Sequence, residues 1–135
     1  MESVQQEKIK VKYYTRAVRE IDKANETLKK AGKEDRFYVD KKQVKTACGI
    51  AYNAVLLALD GYLLICGIEV KKGKKDISFY KKSVSEVDIK LLNYVTEAYN
   101  ILYLAGHYDG SRASKVILAG FELAFVIINK IKPVE

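Results

Sequence analysis

The sequence has no tryptophan, a single proline at position 133, a single histidine at position 107, and two cysteines among 135 residues. Scarce proline and only 8 glycines exclude a collagen-like or low-complexity chain. Two cysteines are too few for a disulfide scaffold. With no CxxC spacing and one histidine, a zinc site is excluded as well. No GxGxxG, Walker loop, HExxH, nucleophile elbow or paired-carboxylate motif is present. Lys72-Gly-Lys-Lys75 is too short for a phosphate loop and follows no suitable strand. No cofactor is expected.

What is present is apolar and charged in globular proportion, 49% hydrophobic and 30% charged. The length suits one domain over residues 1–135 with a closed core. Few helix breakers and long amphipathic segments predict an all-α chain. Val11, Tyr14, Val18, Ile21, Asn25 and Leu28 recur every three or four residues, one face of a first helix over about Val4–Ala31. Ala17 and Ala24 flank that seam, and Gly32 stops the helix. Asp40 caps a second helix that runs to about Cys66 and is apolar over most of its circumference. Gly67 to Lys82 is a long basic connection, readable as a short hairpin or, from Asp76 to Lys82, as a helical turn. Ser83-Val-Ser-Glu86 reads as a capping box opening a third helix through Leu91, Val95, Ala98 and Leu102, ended by Gly106. A fourth runs from about Ser111 to Pro133 on Val116, Ile117, Gly120, Phe121, Ala124, Phe125, Ile128 and Ile131. Short links join helices one–two and three–four, which predicts an antiparallel up-down four-helix bundle.

Thr46–Gly67 and Ala113–Ile131 are strongly apolar, yet they contain Asp60 and Glu122. A carboxylate near mid-span costs about 2.5–3.5 kcal/mol even on a gentle insertion scale. Both read as buried helices, and no membrane partner is expected. Met1 to Glu7 is polar with no apolar signal core behind it. Cys48 and Cys66 on one helix lie about 27 Å apart at 1.5 Å per residue, beyond the reach of about 7 Å for a disulfide. Free thiols fit a cytoplasmic protein.

The stretch Ala51-Tyr-Asn-Ala-Val-Leu-Leu-Ala-Leu-Asp-Gly-Tyr-Leu-Leu64, followed by Gly67-Ile68 and a basic loop, resembles the second helix of HEPN-like domains (higher eukaryotes and prokaryotes nucleotide-binding). Ala105-Gly-His-Tyr108 resembles the loop between that family's third and fourth helices. The resemblance covers about Thr46 to Lys132. Members that cut RNA carry an arginine four to six residues before a histidine; here Ile101, Leu102 and Tyr103 stand before His107, and Arg112 follows it. The resemblance therefore implies a non-catalytic member, a homodimer or the partner of a nucleotidyltransferase-like protein.

Two groups of residues are candidate sites. His107, Asp109 and Arg112 gather with Arg36, Tyr38 and Asp40 at one pole, where a histidine could act as base and an arginine clamp a phosphate. The plainer reading is loop and capping chemistry, and a degenerate nuclease is the least favoured function. Asp60, about 28 Å along its helix from Lys41, cannot join His107; it belongs to a polar stripe or bonds a tyrosine. The second group is basic. The net charge is +7, and Lys8, Lys12, Arg16, Arg19, Lys23 and Lys30 fall within a sector of roughly 80° on the first helix. With Lys71, Lys72, Lys74 and Lys75 they form a candidate nucleic-acid or anion surface. Residues 1–32 carry 8 basic against 5 acidic side chains, and 84–109 are net acidic. A solvated helix face is the default use of such a stripe. The 10 tyrosines, Tyr94, Tyr99 and Tyr103 among them, suit stacking, core edges or a dimer interface.

Overall fold

The computed structural model describes residues 3–70 and 76–134. The chain is all-α apart from one minimal hairpin. Helix α1 (Val4–Lys30) opens on a capping box that sequence reading passed over: Ser3 Oγ accepts from Gln6 N at 3.1 Å and Gln6 Oε1 from Ser3 N at 3.0 Å. Strands β1 (Lys33–Glu34) and β2 (Phe37–Tyr38) follow. Helix α2 (Lys41–Ile65) starts on Asp40, whose carboxylate accepts from Lys42 N and Gln43 N as expected. It ends in a Schellman arrangement: Ile68 N donates to Leu63 O, Gly67 N to Leu64 O, and Gly67 takes φ +81°.

The next segment departs from expectation. Asp76 caps a short helix α3 (Ile77–Ser85), so Ser83-Val-Ser-Glu86 closes a helix rather than opening one. Ser85 Oγ donates to Lys82 O at 2.6 Å, and the true start of α4 (Ile89–Ala98) is Asp88, which accepts from Leu91 N at 2.9 Å. Ser83 sits inside α3, buried with Tyr80 and Val84, and Asp88 supplies the acceptor and a negative charge at the start of α4. Of the two readings of the basic connection, the helical one holds from Asp76 onward. Lys71, Lys72, Lys74 and Lys75 lie outside the described residues.

Helix α4 passes without a break into a π-helix, π1 (Tyr99–Tyr108), before α5 (Ser114–Asn129). The expected stop at Gly106 does not occur: Gly106 is buried inside π1 against Cys48, and the turn falls at Gly110, φ +69°. Ala105-Gly-His-Tyr108 is thus helical, not a loop.

Helix α2 is the centre, packed by α1, π1 and α5, with ten buried residues. It is long and apolar enough to cross a membrane by length and composition alone, and 44% of its apolar window is buried against the rest of the chain. The line of α1 turned inward runs through Ala17, Ile21, Ala24 and Leu28, while Val11 is exposed and Val18 half-buried. The contact centres on the alanines because α1 comes close to α2: Tyr13 Cβ lies where a Cβ on Gly61 would be, 2.6 Å away. On α5 the buried line is Ile117, Phe121, Ala124, Ile128 and Ile131, with Ile127 beside it. Val116 and Phe125, one position off that line, face outward.

The hairpin ties the pole together. Its two-residue turn places Asp35 at φ +57°, a conformation a short polar side chain tolerates. Arg36 O accepts from Ser114 N at 2.9 Å and from Ser114 Oγ at 3.0 Å, and Tyr38 N donates to Arg112 O at 2.8 Å. The start of α5, without a side-chain cap of its own, is satisfied by the hairpin backbone.

Candidate functional site: a tyrosine groove beside the central helix

A groove of about 640 Å³ opens between α1, α2, α3 and π1. Its aromatic wall is Tyr52 from α2, Tyr80 from α3, and Tyr99 and Tyr103 from π1. Tyr99 and Tyr103 stack at 5.3 Å with an interplanar angle of 11°, and Tyr52 tilts against Tyr103 at 5.2 Å and Tyr99 at 6.0 Å. Three carboxylates share the lining: Glu20, Asp60 and Asp76. Leu56, Leu57 and Ile77 supply apolar floor, and Asn53 an amide. No lysine or arginine lines it among the described residues, although the chain carries +7.

Tyr80 Oη donates to Asp60 Oδ1 at 2.9 Å, linking α3 to α2 across the groove. Burial, then the neighbouring Asp60 carboxylate, pushes the Tyr80 hydroxyl well above the ordinary tyrosine range. Burial, then Tyr99 and Tyr103, does the same to Tyr52. Both stay neutral hydroxyl donors at any physiological pH. Lys81 Nζ sits 5.4 Å from the Tyr99 ring centroid, so an ammonium already rests against this aromatic cluster.

At the polar pole the hydrogen-bond partners are structural. The His107 ring lies on Gly49, and its Nδ1 donates to Lys45 O at 3.0 Å. A carbonyl only accepts, so that nitrogen carries the proton. Asp109 and Arg112 are exposed; the Arg112 backbone carbonyl, not its guanidinium, holds the hairpin. Asp60 is bonded to a tyrosine and stays apart from His107.

The basic stripe is equally legible. Lys8, Lys12, Arg16, Arg19, Lys23 and Lys30 are all exposed. Lys12 Nζ and Arg16 Cζ flank the Tyr13 ring at 5.6 and 6.0 Å. Glu26 and Lys30, spaced for an i,i+4 pair, form none, and between two described residues the ion pair seen is Lys130–Asp88 at 3.8 Å. Glu20, on the same helix, is half-buried in the groove. A second hollow, of about 650 Å³, lies by the hairpin; its lining mixes Asp22 and Glu26 with Lys29 and Lys33.

The family model of the Domain of unknown function (DUF5618) matches residues 12–133. The chain belongs to this family. A solved structure, a protein of unknown function from Dyadobacter fermentans, is 36% identical to this DUF5618 chain, covers 90% of it and 94% of its own length, and has a TM-score of 0.79. No curated protein matches. The DUF5618 match spans every element that lines the groove.

Sequence reasoning had Tyr99, Tyr103 and Asp60 in view but separately. It missed Tyr80 and Asp76, because 67–82 read as a connection. The available signal was Asp76 three residues before Phe79, the spacing of a helix cap, with Tyr80 on the turn that follows.

Proposed function

We propose that this DUF5618 member is a non-catalytic, HEPN-like binding domain whose ligand site is the tyrosine groove. The observation that carries the reading is the groove itself: about 640 Å³ lined by four tyrosines and three carboxylates from four helical segments. That volume is the size of a small-molecule site, and a mostly apolar wall with a few convergent polar groups is how such sites are built. Ten residues of π-helix far exceed the single turn that is usual, and such departures recur at functional sites. The non-catalytic part is supported at His107, whose ring is engaged in holding π1 onto α2, with no arginine in the preceding turn.

The test is ligand-observed NMR against a mixed-charge set of small aromatic and amine compounds, with Leu56→Trp as the groove-filling variant. Binders should lose their signal in Leu56→Trp while its melting temperature stays near wild type. Binding that persists in a folded Leu56→Trp removes the groove as the site.

The second reading is a nucleic-acid surface on α1, favoured by six exposed cations and by Tyr13 held between Lys12 and Arg16. A homodimer, the expectation from the apolar helices, is supported by the outward residues Leu118, Phe125 and Val126 of α5, each about two-fifths exposed. A nucleotidyltransferase-like partner stays part of the proposal on the HEPN resemblance alone.

A further inference from the structure

We infer that the groove binds a small organic cation, an ammonium or guanidinium head on a compact apolar body; the inference rests on the reading of the groove as a ligand site. Two features of different kind point to it. The first is aromatic: rings of Tyr52, Tyr99 and Tyr103 lie within 5.2–6.0 Å of one another on one wall, and tyrosine faces attract a desolvated cation. The second is the sign of the charge: Glu20, Asp60 and Asp76 come from three separate helical segments, or the cap of one, and converge on the same space. An anionic ligand would meet three carboxylates there and no described cation on the lining. In a chain of net +7, a concentration of carboxylates around aromatic rings runs against the molecule's general field and selects for the opposite charge.

Lys81 shows the same chemistry within the chain, its ammonium 5.4 Å from the centroid of the Tyr99 ring. The neutral hydroxyl of Tyr52 completes the set, a donor able to orient a ligand's own hydroxyl or carbonyl group without adding charge, while that of Tyr80 gives its proton to Asp60. A free small molecule, rather than a protein segment, is the occupant because the volume matches a compact ligand and the wall is drawn from one face of four packed helical segments.

The experiment titrates the full chain with three probes by calorimetry at low salt: choline, its neutral carbon isostere dimethylbutanol, and adenosine monophosphate. Choline is expected to bind with a Kd of about 1 mM, and dimethylbutanol at least about tenfold more weakly. Glu20→Gln combined with Asp60→Asn, which keeps an oxygen for Tyr80, should weaken choline about tenfold at unchanged melting temperature. Tyr103→Leu should weaken it comparably. Equal affinity for choline and dimethylbutanol, or tighter binding of adenosine monophosphate in the groove, overturns the cation inference and leaves the groove as a ligand site. Failure of all three probes to bind, with the mixed-charge set also silent, overturns the groove itself.

Discussion

At the scale of single residues, the protein keeps protonated groups where water does not reach. Burial raises the Cys48 thiol from its ordinary 9.0 to about 12. Tyr80 is raised by burial and then by Asp60, and Tyr62 by burial, then Cys66 and Asp88. For each group the folded chain holds its proton to higher pH than the unfolded chain does. Above the ordinary value the unfolded state therefore binds fewer protons, and stability falls as pH rises. The contribution is whole below pH 9.0, the ordinary thiol value, and declines toward about 12 for Cys48. The urea midpoint should be flat up to that lower limit and drop above it, with ionisation of Tyr62 and Tyr80 accompanied by loss of helical circular dichroism. Cys48→Ala should make the decline shallower, whatever it does to stability at neutral pH. Ionisation of Tyr62 or Tyr80 at the ordinary tyrosine value with helix content intact, read as absorbance lost in Tyr62→Phe or Tyr80→Phe, would refute this.

At the scale of elements, one aspartate replaces the capping box suggested by Ser83 and Glu86. Asp88 caps α4 through Leu91 N, accepts from Tyr62 Oη at 3.3 Å on α2, and lies 3.8 Å from Lys130 Nζ at the end of α5. The ion pair is partly exposed and adds little. The cap and the tyrosine bond matter more, so Asp88→Ala should cost about 1–3 kcal/mol in chemical denaturation. Asp88→Asn should cost less, because the amide oxygen still caps. Glu86→Ala, at an exposed site, should stay within about 0.5 kcal/mol. A larger loss at Glu86 than at Asp88 would return the helix start to Ser83. The sequence reading takes Ser83 and passes over Asp88, five residues on. Only the position of Ser83 inside α3, fixed by packing of Tyr80 and Val84 into the core, separates them.

At the scale of the whole molecule, charge is divided between faces: cations outward on α1, carboxylates inward at the groove. If the α1 stripe tracks a phosphate backbone with its six cations, affinity for RNA or DNA in fluorescence anisotropy should fall about a thousandfold between about 50 and 200 mM salt. Charge reversal of Lys12, Arg16 and Lys23 should abolish it. Binding that ignores salt, or its absence at low salt, reduces the stripe to a solvated face. Light scattering on the same sample decides the dimer, since a mass of 15.3 kDa at micromolar concentration excludes it.

The sequence by itself determined the helical class, the cap at Asp40, the stop at Gly32 and the exposure of the basic stripe. Each follows from periodicity or from residues a few positions apart, where local physics decides. It left Asp60 open between a polar stripe and a bond to a tyrosine, and the fold makes the bond, to Tyr80. Tertiary structure alone decided the rest. The inward line of α1 moved to Ala17 and Ala24 because Gly61 lets Tyr13 approach α2. The third helix ran on through Gly106 because that glycine is buried against Cys48, where a turn would have needed it free. The groove arose only when residues 20, 52, 60, 80, 99 and 103 came together. No spacing along the chain encodes that meeting, since the residues lie on four separate segments, one of them, with Tyr80, read as a connection.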